Sequence, residues 1–220
     1  HQELTARERA SRRQLMRRRA RHGAPATMEE ALLEIGSDDE VTVDGESLDV
    51  ADILRAQPTP DNGGVEVTTC ARQSGWCATR ARVLRTRTLR VRDGAATAKH
   101  LTQLSKRLSP DAPHKVLVVV NPAGGTGRAQ KVFERDVAPV FYAANIEADV
   151  VVTKAQGDAM ERCRLVAAAP QVTYDGVVVV GGDGTLSEVV RGLADGASTL
   201  ADPEQRLRSI RVAHCPGGTG

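Results

Sequence analysis

Residues 176–185 read Gly176-Val-Val-Val-Val-Gly-Gly-Asp-Gly-Thr185, a run of valines that ends in a glycine-rich turn with one aspartate. Two further turns are built alike: Val116-Leu-Val-Val-Val120 leads into Asn121-Pro-Ala-Gly-Gly-Thr-Gly127, and Ile210-Arg-Val-Ala213 comes before Pro216-Gly-Gly-Thr-Gly220. A glycine-rich turn at the carboxyl end of a strand lets backbone N–H groups approach a phosphate, because no Cβ intervenes. Three such turns in order predict a nucleotide site built from several strand ends.

Apolar runs and helical stretches alternate from residue 114 onward. We predict strands and helices in turn at 115–121, 127–144, 147–153, 157–169, 176–181, 185–194 and 209–215. Continuous apolar strands separated by helices are typical of a parallel sheet covered on both faces. The sequence therefore predicts an α/β fold, with a three-layer α/β/α nucleotide-binding domain over 114–220. Pro139 is expected to break or kink the first helix.

In the preceding region the pattern predicts strands at 40–43, 65–70 and 81–92, and a helical stripe of apolar residues follows over 95–108. This order predicts a small β-rich module over 40–108 with a C-terminal helix. Ser109-Pro-Asp-Ala-Pro113 marks its boundary with the next domain. Residues 1–39 are predicted to be a partly disordered basic arm and linker, with a short helix over Met28–Ile35.

The net charge of +2 conceals a strongly basic amino end, because residues 1–22 contain eight arginines. We interpret this end as a solvated arm, with attraction to an anionic membrane surface as the functional alternative. No aromatic platform accompanies the charge, so we do not expect nucleic acid as a partner.

The four cysteines lack CxxC spacing and the five histidines lack metal-ligand spacing, which favours reduced thiols in a cytoplasmic protein without zinc. The chain begins with His1 rather than Met, so we expect a fragment.

The chemistry of the turns depends on their polar residues. The first turn fits neither the Walker A nor the G-x-G-x-x-G pattern, which leaves two readings: a tight strand-to-helix turn, or phosphate contact through Asn121 and backbone N–H groups. In the central turn we predict a capping box between Thr185 and Glu188. Such a box would leave Asp183 free as a general base or as a link to Mg²⁺. Glu188 stays open between cap and ligand.

These motifs carry a family resemblance. The pattern N-P-x-G-G-x-G after a strand, then Y-D-G-V-V-V-V-G-G-D-G-T-L-x-E-V-V-x-G-L, then P-x-G-T-G resembles the catalytic domain of diacylglycerol kinases. The sequence is most similar to the sphingosine and ceramide kinase branch. Similarity is strong over 114–220 and faint over 80–113. It implies a phosphofructokinase- or NAD-kinase-like fold for the first range, and a pleckstrin-homology-like module for residues 40–108.

The resemblance also implies site residues and cofactors. Asp183 matches the residue proposed as catalytic base in that family, and Mg²⁺ would be held through ATP, with Asp183 as the candidate for a direct link. The second strand is implied to supply nucleotide contacts from Thr153 to Gly157. The nucleotide-binding set is Asn121, Pro122, Ala123, Gly124, Gly125, Thr153, Gly181, Gly182, Gly184, Thr185, Glu188, Gly218, Thr219 and Gly220.

The function implied by the resemblance is transfer of the ATP γ-phosphoryl group to a primary hydroxyl of a sphingoid base or related lipid, by a cytoplasmic enzyme peripheral at membranes. The alternatives are a diacylglycerol or ceramide kinase, an NAD kinase, whose central loop is also G-G-D-G-T, and a non-catalytic lipid- or nucleotide-binding adaptor. Two features depart from the family: Arg191-Gly192 stands where Asn-Gly is usual, and the chain stops at Gly220, before a second, lipid-binding domain. We therefore expect these 220 residues alone to be inactive or nearly so.

Overall fold

The computed structural model describes residues 28–36, 39–72, 82–124 and 127–217. The basic arm before Met28 lies outside the described residues. The chain separates into two compact units, and the boundary falls between Ala112 and Pro113. Each unit has its own sheet and its own hydrophobic core.

The N-terminal unit is a mixed sheet with one long helix. Its described elements, beside a 3₁₀ turn at Val50–Asp52, are β1 (Met28–Ile35), β2 (Val41–Val43), β3 (Glu46–Ser47), β4 (Ile53–Pro58), β5 (Gly64–Arg72), β6 (Arg82–Arg90) and α1 (Gly94–Leu108). The six strands lie in the order β3-β2-β1-β6-β5-β4. All pairs are antiparallel except β1 with β6, which run parallel. Helix α1 buries Ala98, Leu101 and Leu104 in the same core as strand residues such as Val65 and Val67.

The predicted helix over Met28–Ile35 is wrong, because this segment is strand β1. Its residues favour helix locally, but Leu33 pairs with Val43 and Ile35 with Val41 in an antiparallel ladder. Ala31 and Leu33 are buried and the alternate residues Leu32 and Glu34 are exposed, which is the two-residue period of a half-buried strand. Pairing with β2 and β6 overrides helix propensity, because propensity differences between ordinary residues amount to only about 0.7 kcal/mol per residue or less.

The C-terminal unit alternates strands and helices as predicted. Its described elements are β7 (Lys115–Val120), α2 (Ala129–Val132), a π-helical segment (Phe133–Val137), α3 (Ala138–Ala143), β8 (Glu147–Val152), α4 (Asp158–Ala168), β9 (Gly176–Gly181), α5 (Asp183–Ala197), α6 (Pro203–Arg208) and β10 (Arg211–Pro216). The short helix α6 and strand β4 of the other unit have no counterpart in the predicted elements.

Pro139 breaks the α-helical register as expected. A π-helical segment ends at Val137, and Pro139 falls in the first turn of α3, a position that proline tolerates.

The sheet of this unit is parallel, in the order β10-β9-β7-β8. On one face Leu117, Val119, Val177 and Val179 form a core with helices α4 and α5. The alternate residues of β7 and β9 are also buried, and helices α2 and α3 contact β9 and β8. The α/β/α layering predicted from the continuous valine runs is confirmed. All strands point their carboxyl ends to one edge, where the glycine-rich turns follow.

Helices α4 and α5 approach each other unusually closely at two glycines of α5. A Cβ at Gly192 would lie 3.0 Å from Met160 Cα and closer still to the Met160 carbonyl, and a Cβ at Gly196 would lie 2.9 Å from Ala167 Cβ. No L-residue larger than glycine fits without moving a helix backbone. Gly192 therefore serves the packing of these two helices.

Candidate active site

A cleft of about 480 Å³ opens at the carboxyl edge of the parallel sheet. It is formed by the turns after β7, β8 and β9. Its lining residues are Asn121, Pro122, Ala123, Gly124, Thr153, Lys154, Ala155, Gln156, Gly182, Gly184, Thr185 and Glu188. Residues up to 64 positions apart in sequence thus meet at one edge, because parallel strands end there together.

The first turn is tied to the central one by Asn121. The Asn121 side-chain Nδ2 donates to Thr185 Oγ1 at 2.8 Å, and its Oδ1 accepts from the Ala123 N–H at 3.0 Å. The Asn121 N–H donates to the Val180 carbonyl at 3.0 Å. Asn121 therefore organises its own turn and fastens it to the start of α5. Gly125, predicted to contact nucleotide, lies outside the described residues.

The second turn, after β8, is ordered by an aspartate that was not among the predicted site residues. Asp158 Oδ2 accepts the N–H groups of Lys154 at 2.7 Å and Ala155 at 3.0 Å. Gly157 bends the chain with φ of +88° into the first turn of α4, a conformation that glycine adopts without a Cβ clash. Lys154 lines the cleft and is exposed. The signal in the sequence is Gly157-Asp158 at a helix start.

The predicted capping box in the central turn is wrong. Helix α5 begins at Asp183, with Gly182 as its N-cap residue and no side-chain cap bond. The Thr185 N–H donates to the Gly182 carbonyl at 3.0 Å, and its buried hydroxyl accepts from Asn121. Thr185 is thus a link between turns rather than a cap. Because Gly182 has no side chain, no side-chain cap occupies the N–H groups of Asp183 and Gly184, and these two remain open to a ligand.

Two glycines of the central turn are open rather than packed. A Cβ at Gly182 or Gly184 would have no atom within 4 Å, and neither residue has a positive φ. Neither backbone strain nor contact within the protein therefore calls for glycine at these positions. Gly184 lies inside α5, where glycine costs about 0.5–1 kcal/mol relative to alanine. Both line the cleft, so the absence of Cβ atoms leaves room for a ligand.

The third turn joins the other two at Gly181. The Gly217 N–H donates to the Gly181 carbonyl at 3.0 Å, and a Cβ on Gly217 would lie 3.1 Å from Gly181 Cα. Gly181 is itself buried beneath the cleft rather than lining it. The remaining predicted residues of this turn, Gly218, Thr219 and Gly220, lie outside the described residues.

Asp183 stands at the rim of the cleft. It is the first residue of α5 and is exposed, and its carboxylate has no hydrogen bond or ion pair with the rest of the described chain in the contacts we find. Its neighbours Gly182 and Gly184 line the cleft, whereas Asp183 does not. Asp183 therefore lies beside the cleft rather than in its lining.

The cleft combines one cationic and one anionic side chain, Lys154 and Glu188. A lysine ammonium and open helix N–H groups both attract phosphate. Glu188 lies almost two turns into α5, where its carboxylate would accept hydrogen bonds from hydroxyl or amine groups. This division of charge suits a ligand with an anionic end and a neutral, donor-rich end.

The thiols near these elements are protonated at neutral pH. Burial raises the pKa of Cys163, in α4, to about 12, and it also raises the pKa of Cys215, in β10. A thiol in this state is a weak nucleophile, because the thiolate is the reactive form. Neither cysteine has the properties of a catalytic nucleophile.

Within the described ranges, no group of three or more His, Cys, Asp or Glu side chains could hold a metal ion. A Mg²⁺ ion that a bound phosphate brings would meet two carboxylates here, Glu188 in the lining of the cleft and Asp183 beside it. Among the same residues, no helix is both long and apolar enough to cross a bilayer.

Known proteins resemble the C-terminal unit. Residues 115–220 match the family described as diacylglycerol kinase catalytic domain. Ceramide kinase from Homo sapiens is 36% identical over 114 residues, which cover 49% of this chain and 21% of that protein. Sphingosine kinase 1 from Arabidopsis thaliana is 42% identical over 97 residues, covering 44% of this chain and 18% of the relative. The chain thus spans about a fifth of the length of these relatives.

A solved structure is also similar. A putative diacylglycerol kinase from Bacillus anthracis str. Sterne is 34% identical, with a TM-score of 0.37, over 49% of this chain and 33% of that one. The family match covers both described glycine-rich turns that line the cleft, together with Asp183. Residues 115–220 thus match the diacylglycerol kinase catalytic domain family, and ceramide and sphingosine kinases are among the proteins to which they are similar.

Proposed function

We propose that this chain carries the nucleotide-binding part of an ATP-dependent lipid kinase that phosphorylates a primary hydroxyl of a sphingoid base or related lipid. The observation that supports it most directly is the pair of open glycines, Gly182 and Gly184, at the start of α5. They leave first-turn N–H groups accessible in a cleft that also contains Lys154. The named relatives include kinases of both sphingosine and ceramide.

The nucleotide would lie with its phosphates at the start of α5. The first-turn N–H groups and the Lys154 ammonium would balance the phosphate charge. Glu188 would accept hydrogen bonds from the ribose hydroxyls or the base amine. Asn121 and Asp158 would hold the flanking turns in place through the bonds that they already make. Mg²⁺, when bound to the phosphates, would neutralise charge that develops on the leaving ADP.

Asp183 would act on the lipid hydroxyl from the rim. Its carboxylate accepts the hydroxyl proton while the hydroxyl oxygen forms a bond to the γ-phosphorus and the bond from that phosphorus to the ADP oxygen breaks. A base at the rim suits this reaction, because the acceptor must approach the γ-phosphate from the side opposite ADP.

The decisive experiment is Asp183→Asn in the intact protein. We expect phosphoryl transfer from labelled ATP to sphingosine, ceramide or diacylglycerol to fall by about 10²–10⁴-fold, the usual contribution of a general base. Affinity for ATP, measured by titration calorimetry, should stay within about twofold, because Asp183 does not line the cleft. Asp195→Asn is the matched control, since it removes an exposed carboxylate farther along the same helix.

Each alternative function predicts a different result. An adaptor would show no transfer in the parent protein, or would keep its activity in the Asp183→Asn variant. A NAD kinase would transfer phosphate to NAD and to none of the lipids. A parent protein without measurable affinity for ATP would contradict the proposal at its first step.

A further inference from the structure

His214 reaches from β10 to the turn that begins α5. Its Nε2 lies 2.9 Å from the Gly181 carbonyl oxygen, which belongs to the last residue of β9. A carbonyl oxygen can only accept a hydrogen bond, so Nε2 carries the proton and donates. The half-buried ring is therefore held in one tautomer by backbone of the neighbouring strand.

The same carbonyl oxygen is the point where two glycine-rich turns meet. It accepts a second hydrogen bond, from the Gly217 N–H at 3.0 Å. Gly181 leads directly into Gly182, the N-cap residue of α5. Two donors on one oxygen, one from a side chain and one from backbone, restrain the peptide that sets the direction of the first turn of α5.

Packing leaves little other means of fixing this peptide. A Cβ on Gly181 would lie 3.1 Å from Thr185 Oγ1, so the residue is close to its neighbours but has no side chain of its own to anchor it. Gly182 and Gly184 also lack side chains, and a Cβ built on either would have no atom within 4 Å. The imidazole of His214 thus adds a side-chain hydrogen bond to a peptide whose own residue has no side chain.

We propose that His214 is a positioning residue that holds the β9–α5 turn in the geometry that binds nucleotide. This inference rests on the proposed function. His214 does not line the cleft, so it would act through Gly181. Helix N–H groups bind phosphate only when they are aimed at it, and small displacements of such groups reduce binding and catalysis strongly.

The test compares His214→Leu, which has no donor, with His214→Gln, which keeps an N–H donor at similar reach. In the intact protein we expect ATP affinity to fall roughly three- to tenfold in the leucine variant, the effect of one neutral hydrogen bond. The glutamine variant should recover affinity to within about twofold of the parent. The apparent KM for ATP should rise more than kcat falls. His114→Leu removes an exposed imidazole at the opposite edge of the sheet and is the control.

A second readout does not depend on nucleotide. Amide hydrogen exchange at Gly182 and Gly217 should accelerate in the leucine variant and not in the glutamine variant. If the parent binds no ATP, the proposed function fails while exchange still decides whether His214 restrains the turn. Unchanged exchange in the leucine variant would overturn the proposal. Equal loss of ATP affinity in both variants, or a lower melting temperature with unchanged affinity, would also overturn it.

Discussion

The two edges of the parallel sheet differ in the hydrogen-bond partners of their backbone N–H groups. At the amino edge, Asp175 accepts the N–H groups of His114 and Lys115 at 2.8 and 2.9 Å, so the backbone groups there are occupied by protein. At the carboxyl edge, Gly182 starts α5 without any side-chain cap and the first-turn N–H groups stay open. Backbone N–H groups that bond within the protein stabilise the fold, whereas those without a partner in the protein are available to a ligand.

Helix α5 repeats the contrast along its own length. Gly182 and Gly184 at its start have empty space where a Cβ would be, whereas Gly192 and Gly196 in its body are pressed against α4. The same residue type thus serves ligand access at one end and helix packing at the other. Substitutions in the two pairs should therefore affect different measurements, stability in the packed pair and ligand affinity in the open pair.

The largest effect is expected from Gly192→Ala. The new methyl group would overlap the Met160 backbone of α4 and force the two helices apart. We expect a loss of about 3 kcal/mol in the free energy of unfolding, measured by chemical denaturation, although alanine favours helix in isolation. An unchanged or higher stability would show that the two helices are not as closely packed as described.

Gly184→Ala is the matched substitution in the open pair, and its effect on stability should be absent or favourable by about 0.5–1 kcal/mol. ATP affinity should instead fall roughly tenfold, because the methyl group enters the cleft. Titration calorimetry on the intact protein measures this change. Ser187→Ala, on an exposed position of the same helix, is the control. Retained affinity in the Gly184→Ala variant would mean that no ligand approaches this turn.

The smallest effect on stability is expected at the amino edge of the sheet, where Asp175 accepts two backbone N–H groups. The N–H groups of Lys115 and His114 lower the pKa of Asp175 below its ordinary value in the folded protein. The charged carboxylate therefore stabilises the fold above the pKa of the unfolded chain, and this contribution is lost as pH falls through the folded pKa. We expect Asp175→Asn to destabilise the protein by about 1 kcal/mol at pH 7. The difference from the parent should shrink below about pH 4, near the ordinary aspartate pKa. A difference independent of pH would contradict this role.

Much of the C-terminal unit could be predicted from local patterns. The valine runs of β7 and β9 indicate strands that are buried on both faces, and the glycine-rich turns after them indicate a phosphate site. The N-terminal unit was harder. Strand β1 has the composition of a helix, and only its ladder with β2 reveals it as a strand. Strand β4 was not predicted, since it lies at the sheet edge and only its first residue, Ile53, is fully buried.

The sequence alone determined the four strands of the C-terminal unit and the presence of three glycine-rich turns, because strand burial and turn formation depend on neighbouring residues. Only the tertiary structure decided the roles of Thr185, Asp158 and His214. Thr185 has the sequence context of a cap, yet its hydroxyl bonds to Asn121, 64 positions away. His214 meets Gly181 across 33 positions. Contacts of this length exist only once the parallel strands have aligned their carboxyl ends, and no local pattern encodes that alignment.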